Sequence, residues 1–130
     1  MTDLLHSKIS EWLQADATNE PSIYKIHFAE HHLGNIWIRS LHGGVTGAFI
    51  ELAAEAETRN LIDKNADLMI VSNSIDYLRV TKDADLFART TIVRQSRRLC
   101  VADVLCWQDS EDAPVARGVV AIKINHGNKT

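Results

Sequence analysis

The sequence offers little that points to a disulfide or a cysteine-bound metal. It contains two cysteines, Cys100 and Cys106, and no CxxC pair, so a cysteine-based metal site is not expected. If both lie on one strand, their spacing at ~3.3 Å per residue separates them by about 20 Å, which is too far for a disulfide. Both are therefore predicted to be reduced thiols, which is typical of a cytoplasmic protein.

Several other classes of protein are also disfavoured. The net charge of −3 at pH 7 reflects no excess of basic residues, so nucleic acid is not an expected partner. No apolar run approaches the roughly 18 residues that a membrane span requires, and residues 1–8 lack the pattern of a secretory signal. The six histidines are scattered without ligand spacing, so no metal site is predicted. These features favour a cytoplasmic protein that does not enter a membrane.

Residues 1–130 are predicted to form one domain, because a hydrophobic content of 45% is enough for one core. Leu5, Ile9 and Trp12 follow the i, i+4, i+7 spacing of a core-facing stripe, which predicts an N-terminal amphipathic helix within residues 1–20. Pro21 and its polar neighbours are expected to end this helix. At the other terminus, residues 126–130 are predicted to be a flexible tail.

The rest of the chain separates into one apolar helix and several strands. Two short strands are predicted at residues 23–29 and 35–39, and a helix follows from about residue 45 to residue 63. Its first three turns are apolar nearly all round, which indicates a helix enclosed by protein. Short polar connections then separate four further strands, and short connections favour antiparallel neighbours. These strands are predicted at residues 68–80, 86–94, 99–107 and 115–124.

The strand at residues 99–107 is apolar on both faces. Cys100 and Val104 lie on one face, whereas Val101 and Leu105 lie on the other. One helix covers only one side of a sheet, so the second apolar face requires another cover. A second copy of the chain is the simplest cover, which predicts a homo-oligomer.

The turn His42-Gly43-Gly44, directly before the apolar helix, is the strongest functional signal. Two glycines allow a sharp turn and leave amide N–H groups uncovered, and a helix N-terminus can hold an oxyanion. Glu51 lies two helical turns further on, where burial raises the cost of keeping a carboxylate charged. An oxyanion site and a buried carboxylate are the groups that acyl transfer or hydrolysis needs. The alternative is a glycine turn before a helix that carries a stray glutamate.

This order of elements resembles the hotdog fold, an α+β fold in which a long antiparallel β-sheet wraps around one central α-helix. Within that fold the chain is most similar to the PaaI-like branch of acyl-CoA thioesterases. The resemblance covers residues 23–124. It is carried by His42-Gly43-Gly44 with an acid eight residues after the first glycine, by the Arg97-Arg98-Leu99 hairpin, and by the strand Ile75-Asp-Tyr-Leu-Arg79.

The resemblance implies hydrolysis of an acyl-CoA to the free acid and coenzyme A. It implies a homodimer, often paired into a homotetramer, with two active sites across the dimer interface and no metal or redox cofactor. Glu51 falls at the position of the family's catalytic acid, where it would activate water or attack the carbonyl itself. Gly43 falls where a backbone N–H polarises the thioester carbonyl.

Further residues are expected to bind the substrate. Gly44 and Thr46 would border the thioester, and His42 would either contact substrate or, as the favoured alternative, fix the loop. Arg97 and Arg98 would hold the phosphates of coenzyme A, because guanidinium groups suit phosphate, or would form a solvated hairpin tip.

Two positions depart from the family pattern. Relatives often carry Asn or Gln six residues before the histidine, where this chain has Ile36, and Asn35 stands one residue earlier. Either Asn35 reaches the site or the polar helper is missing. One turn after the acid stands Glu55, which shares a helix face with Glu51 and repels it or points to solvent. The alternative function is therefore a catalytically silent acyl-CoA-binding or structural hotdog protein.

Overall fold

The computed structural model describes residues 7–126, which contain two α-helices and eight strands. A 3-10 turn at Glu30–His32 separates the second and third strands. The elements in chain order are α1 (Lys8–Leu13), β1 (Ala15–Ala17), β2 (Ile23–Ile26), β3 (Leu33–Asn35), β4 (Ser40–Leu41), α2 (Gly43–Leu61), β5 (Asp67–Tyr77), β6 (Leu86–Gln95), β7 (Leu99–Trp107) and β8 (Ala116–Asn125).

Six of the strands form one antiparallel sheet in the order β1-β2-β6-β7-β8-β5, and β3 pairs with β4 separately. This sheet with its one long helix confirms the predicted α+β hotdog fold. The prediction that consecutive strands pair with each other is right for β6 with β7 and for β7 with β8. It is wrong for β5, which pairs with β8 at the far edge of the sheet. The connection from β5 to β6 therefore crosses the ends of the strands. The side chain of Gln108 holds that connection through hydrogen bonds with the backbone of Lys82 and Ala84.

Helix α2 packs on the sheet through its buried apolar face. Phe49 and Ile50 are fully buried, and they lie over the inward side chains of β7 and β8. A Cβ placed on Gly118 of β8 would come 2.6 Å from Cγ2 of Ile50. Position 118 therefore sets how closely the helix approaches the sheet, because any larger residue would push Ile50 away.

The other face of the sheet remains open within one chain. Val93, Leu99 and Val119 are exposed there to 57%, 41% and 40%. Since these apolar side chains have no cover in the single chain, the sheet presents the second apolar surface that the sequence predicts.

The N-terminal helix is much shorter than predicted. Gln14 has a left-handed backbone with φ of 57° and ends α1, and β1 follows at once, so the helix does not extend to residue 20. Leu13 is fully buried, whereas Ile9 and Trp12, the predicted core-facing residues, are each 47% exposed. The prediction for Leu5 falls outside the described residues.

The predicted strand at residues 35–39 is wrong, because most of that segment is a turn. The side-chain oxygen of Asn35 accepts hydrogen bonds from the amides of Trp37 and Ile38, and this local bonding replaces strand pairing. Three apolar side chains stand at the tip of the turn, with Ile36, Trp37 and Ile38 exposed to 67%, 90% and 60%.

The C-terminal prediction needs one correction. His126 is not part of a flexible tail, because its ring contacts the Asp63 carboxylate at 2.6 Å and the Arg97 carbonyl oxygen at 2.7 Å. These contacts join the end of β8 to the segment after α2 and to the β6–β7 hairpin. Residues 127–130 lie outside the described residues.

Candidate active site

The start of α2 leaves one backbone amide without a partner. The His42 ring caps the helix, since its Nδ1 accepts from the Gly44 amide at 2.9 Å. The amides of Val45 and Thr46 donate to the His42 carbonyl oxygen at 2.9 and 3.4 Å. Within residues 7–126, the Gly43 amide has no hydrogen-bond acceptor. This N–H, at the positive end of a 19-residue helix, is suited to hold an oxyanion.

Neighbouring strands lock this turn in place. The Tyr77 hydroxyl donates to the Gly43 carbonyl oxygen at 2.9 Å, and a Cβ on Gly43 would lie 3.4 Å from that hydroxyl. A Cβ on Gly34 of β3 would lie 2.8 Å from Cα of His42, so only glycine fits there. The turn is therefore held from both sides. Its histidine serves the loop-fixing role that the sequence favours, while contact of His42 with substrate stays a prediction.

Two clefts flank the glycine turn. The β5-side cleft, of about 370 Å³, is lined by Ser40, Leu41, Gly43, Thr46, Tyr77, Leu78, Arg79, Val80 and Thr81. The α1-side cleft, of about 360 Å³, is lined by Ile9, Trp12, His31, Leu33, His42, Gly44, Val45 and Ala48. The first cleft carries an arginine and several hydroxyl groups, whereas the second is bordered mainly by apolar side chains and two histidine rings. Gly43 and Gly44 thus separate a more polar cleft from a more apolar one.

Glu51 is half-buried on α2 and has one hydrogen-bond donor within the part of the chain that the structure describes. The side-chain amide of Asn73 on β5 donates to its Oε2 at 3.1 Å and to the Gly47 carbonyl oxygen at 3.4 Å. Asn73 was not predicted from the sequence. The sequence gives no signal for it, because residues 68–71 are all apolar and show no alternation that would tell which way residue 73 faces.

Glu55 lies one turn beyond Glu51 on the same side of the helix. Burial raises the pKa of Glu55, and the nearby Glu51 raises it further, while Arg59 lowers it through an ion pair at 3.6 Å. Of the two alternatives left by the sequence, the structure favours a half-buried, repelled carboxylate over one that points to solvent.

Gly43 and Glu51 do not converge within one chain. Their eight-residue separation corresponds to about 12 Å along the helix axis at ~1.5 Å per residue. A general base must come within about 3 Å of its proton, or act through one water. A site that uses both groups on one thioester therefore needs Glu51 from another copy.

The remaining predicted residues lie in three places. Thr46 is buried beside Gly43 in the β5-side cleft. The oxygen of Asn35 is committed to its own turn, so only its amide nitrogen is left for another contact. Arg97 and Arg98 are exposed at the opposite end of α2, which is roughly 28 Å long by its residue count. Their contact with substrate phosphates stays a prediction.

Two kinds of feature are absent from residues 7–126. No group of three or more histidine, cysteine, aspartate and glutamate side chains is arranged to hold a metal ion. No helix in this part of the chain is both long and apolar enough to cross a membrane.

Comparison with known proteins identifies the family. Residues 35–122 match the family model of the acyl-CoA thioesterase N-terminal domain. No curated protein matches the chain. A thioesterase from Haemophilus influenzae has a TM-score of 0.83 at 14% identity, covering 98% of this chain and 90% of that one. A phenylacetic acid degradation-related protein from Ralstonia eutropha has a TM-score of 0.76 at 17% identity, covering 88% of both chains.

A third solved structure contains a relevant ligand. It is a Bacillus halodurans protein with CoA, which has a TM-score of 0.74 at 18% identity and covers 91% of this chain and 76% of that one. At these identities the structural likeness shows the fold. The family match, however, spans more than half of the chain. The protein therefore belongs to the acyl-CoA thioesterase N-terminal domain family and has the hotdog fold.

Proposed function

We propose that this protein hydrolyses acyl-CoA thioesters in the cytoplasm, as a PaaI-like hotdog enzyme. The observation that carries the proposal is the unpartnered Gly43 amide at the start of the helix that also holds Glu51. An oriented backbone donor stabilises the charge that develops on a carbonyl oxygen, and a carboxylate can take the proton of the attacking water. The likeness to a protein with CoA supports coenzyme A as the carrier.

The reaction uses both groups in one sequence of bond changes. The thioester oxygen accepts from the Gly43 amide while Glu51 removes a proton from water and the water oxygen attacks the carbonyl carbon. The carbon–sulfur bond then breaks, and Glu51 returns the proton to the departing thiolate, which gives the free acid and coenzyme A. In a variant of this route, Glu51 attacks the carbonyl and water hydrolyses the resulting anhydride. Isotope from H₂¹⁸O found in Glu51 after turnover would identify that variant.

The proposal includes a homodimer, or a homotetramer built from two of them. Among residues 7–126, strand β5 pairs with β8 alone, so the outer edge of this 11-residue strand is unpaired there, and Met69 and Val71 are exposed to 60% and 58%. Long unpaired edges favour addition of another strand. A two-fold axis near the middle of the Gly43–Glu51 segment would bring each Glu51 toward the other copy's Gly43. Sedimentation that shows a stable 14.5 kDa species at micromolar concentration would contradict this assembly.

The difference between the two clefts suggests how an acyl-CoA lies. Its apolar acyl group would enter the α1-side cleft beside Gly44 and Trp12, and its pantetheine arm would leave through the β5-side cleft past Arg79. Apolar surface removed from water supplies affinity in proportion to its area. Hydrolysis is therefore expected to favour medium-length or aromatic acyl groups over acetyl.

The deciding experiment measures release of free thiol from a panel of acyl-CoAs, from acetyl to decanoyl and including phenylacetyl. The proposal predicts turnover that increases with apolar acyl size and is lost in Glu51→Gln. The second candidate, a silent acyl-CoA-binding protein, is favoured by one observation: the family's polar position is the exposed Ile36, and the Asn35 oxygen is engaged elsewhere. Calorimetric binding of acyl-CoA without thiol release would establish that candidate instead.

A further inference from the structure

We propose that Asn73 is the positioning residue for the Glu51 carboxylate, and that a bulge in β5 aims it there. The inference rests on the proposed function, because it concerns the residue that would act as base. Asn73 reaches Glu51 across the space between sheet and helix, with its Nδ2 at 3.1 Å from Oε2. No other hydrogen bond to the Glu51 carboxylate occurs within residues 7–126.

The bulge determines which side chains of β5 face α2. Before it, Leu68 and Ile70 pair with Ile124 and Ile122, whose side chains point into the core. The register shifts between Ile70 and Ser72, and Asn73 then pairs with the inward-facing Val120. A regular strand would have presented residue 72 rather than 73 to the helix, since side chains alternate between faces. Bulges re-aim side chains in this way beside active sites.

The orientation of the Asn73 amide follows from its surroundings. Its Nδ2 faces two acceptors, Oε2 of Glu51 and the Gly47 carbonyl oxygen, so a flipped amide would set oxygen against oxygen. The opposite end, Oδ1, is buried without a partner among the described residues and lies close to Gly118. A buried acceptor without a donor lowers stability, whereas leucine of similar shape would not. Packing alone therefore does not call for a carboxamide at position 73.

The contact prepares the carboxylate for proton transfer. Because Asn73 holds Oε2, Oε1 is left free to accept a hydrogen bond from water. The other ionisable groups nearby are Glu55, with its partner Arg59, on α2 and Tyr77 on β5. The β8 residues across from Asn73, Gly118 and Val120, carry no charge.

The test compares Asn73→Leu with Ser74→Ala, a control at the next residue of β5, which faces away from α2. In Asn73→Leu, kcat should fall roughly tenfold to a hundredfold, the range for losing a hydrogen bond to a charged group. KM should stay within about twofold, as expected when chemistry rather than binding is affected. Asn73→Asp keeps the shape of the side chain but lacks the N–H donor, so it should lower kcat as well. An unchanged kcat in Asn73→Leu would overturn the proposal.

Two further measurements separate positioning from structure and from the proposed function. Adding Asn73→Leu to Glu51→Gln should lower the residual rate no further, because the two residues act as one unit. An equal loss in both backgrounds would show a purely structural role and refute the inference. Carboxylate ¹³C NMR needs no turnover: at a fixed pH the Glu51 carboxylate resonance should move in Asn73→Leu and stay in place in Ser74→Ala, and an unmoved resonance in Asn73→Leu would refute the inference even if the protein hydrolyses nothing. Full activity of Glu51→Gln would instead refute the proposed role of Glu51 itself.

Discussion

Helix α2 carries two glutamates in opposite circumstances, Glu51 at its middle and Glu57 near its end. Glu57, near the end of the helix, is 3% exposed and accepts hydrogen bonds from the hydroxyls of Ser22 and Tyr24, the latter at 2.9 Å. Glu51, near the middle of the helix, is half-buried, and among residues 7–126 Asn73 is its one hydrogen-bond donor. Two turns earlier, at the helix start, the Gly43 amide has no acceptor among the same residues. A buried polar group with all its partners supports the fold, whereas groups left partly unpaired are available for a ligand.

The sharpest way to test this contrast is Glu51→Gln. Loss of a general base or nucleophile typically lowers the rate about a hundredfold or more, and the variant should lose at least that in kcat. Its urea midpoint should match the wild type, because the amide keeps the shape of the side chain. Glu55→Gln is the matched control on the same helix face and should lose less. More than about a tenth of wild-type turnover in Glu51→Gln would remove Glu51 from the mechanism.

The opposite result is expected for Glu57→Gln. Each carboxylate oxygen of Glu57 accepts from one hydroxyl, and glutamine replaces one of these oxygens with an NH₂ donor, so the free energy of unfolding should fall by about 1–3 kcal/mol. Burial and the adjacent Glu57 charge both raise the pKa of Tyr24, so the variant should also bring tyrosine ionisation to lower pH. Urea denaturation measures the first effect and ultraviolet titration the second. Below the unfolding temperature kcat of Glu57→Gln should be unchanged. A large loss of kcat would contradict the contrast between Glu57, which supports the fold, and Glu51, which is available for the reaction.

At the start of the helix, Trp12→Ala tests the α1-side cleft. The indole borders that cleft and is 47% exposed, so its removal should weaken the preference for large acyl groups without harming the fold. The ratio of kcat/KM for phenylacetyl-CoA over acetyl-CoA should drop roughly tenfold, because a hydrophobic side chain of this size contributes about 1.5–3 kcal/mol when fully covered. An unchanged ratio would place the acyl group elsewhere.

Arg97 and Arg98 are predicted to bind the phosphates of coenzyme A. They lie near the end of α2, where the other contacts described support the fold. Replacing both with alanine should raise KM about fivefold with little change in kcat, since exposed charge pairs contribute on the order of 1 kcal/mol. The effect should shrink as salt screens the charges. KM values that match the wild type at low salt would return both residues to a solvated hairpin tip.

The smallest effect is expected at His126, which joins the segment after α2 to that hairpin. Its hydrogen bond with Asp63, and then that with the Arg97 carbonyl, raises its pKa from the ordinary 6.5. A raised histidine pKa stabilises the fold below 6.5, and this stabilisation disappears as the pH rises through the folded value. The difference in urea midpoint between wild type and His126→Gln should therefore narrow above pH 6.5. A difference that widens with pH would contradict the assigned contact.

The sequence predicts a structural feature well when the residues that cause it lie close together in the chain. The helix and the Gly43–Glu51 spacing are visible because apolar periodicity and the glycine turn lie within one segment. The pairing of β5 with β8 is not visible, since it depends on strands about 50 residues apart in the chain. The inward position of Asn73 is not predictable for the same reason, because the bulge that turns it inward is defined by the register of β5 against β8. The prediction of a strand at residues 35–39 is wrong for a local reason, because the Asn35 side chain accepts a hydrogen bond from a backbone amide and favours a turn.

The exposed turn between β3 and β4 has a spectroscopic consequence. Trp37 is 90% exposed, whereas Trp107 is 8% exposed and stacks on Phe87 at a centroid distance of 5.9 Å. Indole emission shifts to shorter wavelength when the ring leaves water, so an isolated chain should show a long-wavelength component from Trp37 that iodide quenches readily. Any association that covers this turn would reduce that component, with Trp12, which is 47% exposed, contributing what remains, and dilution would restore it. The fluorescence of Trp37 therefore reports whether the turn that leads into Gly43 is exposed or covered.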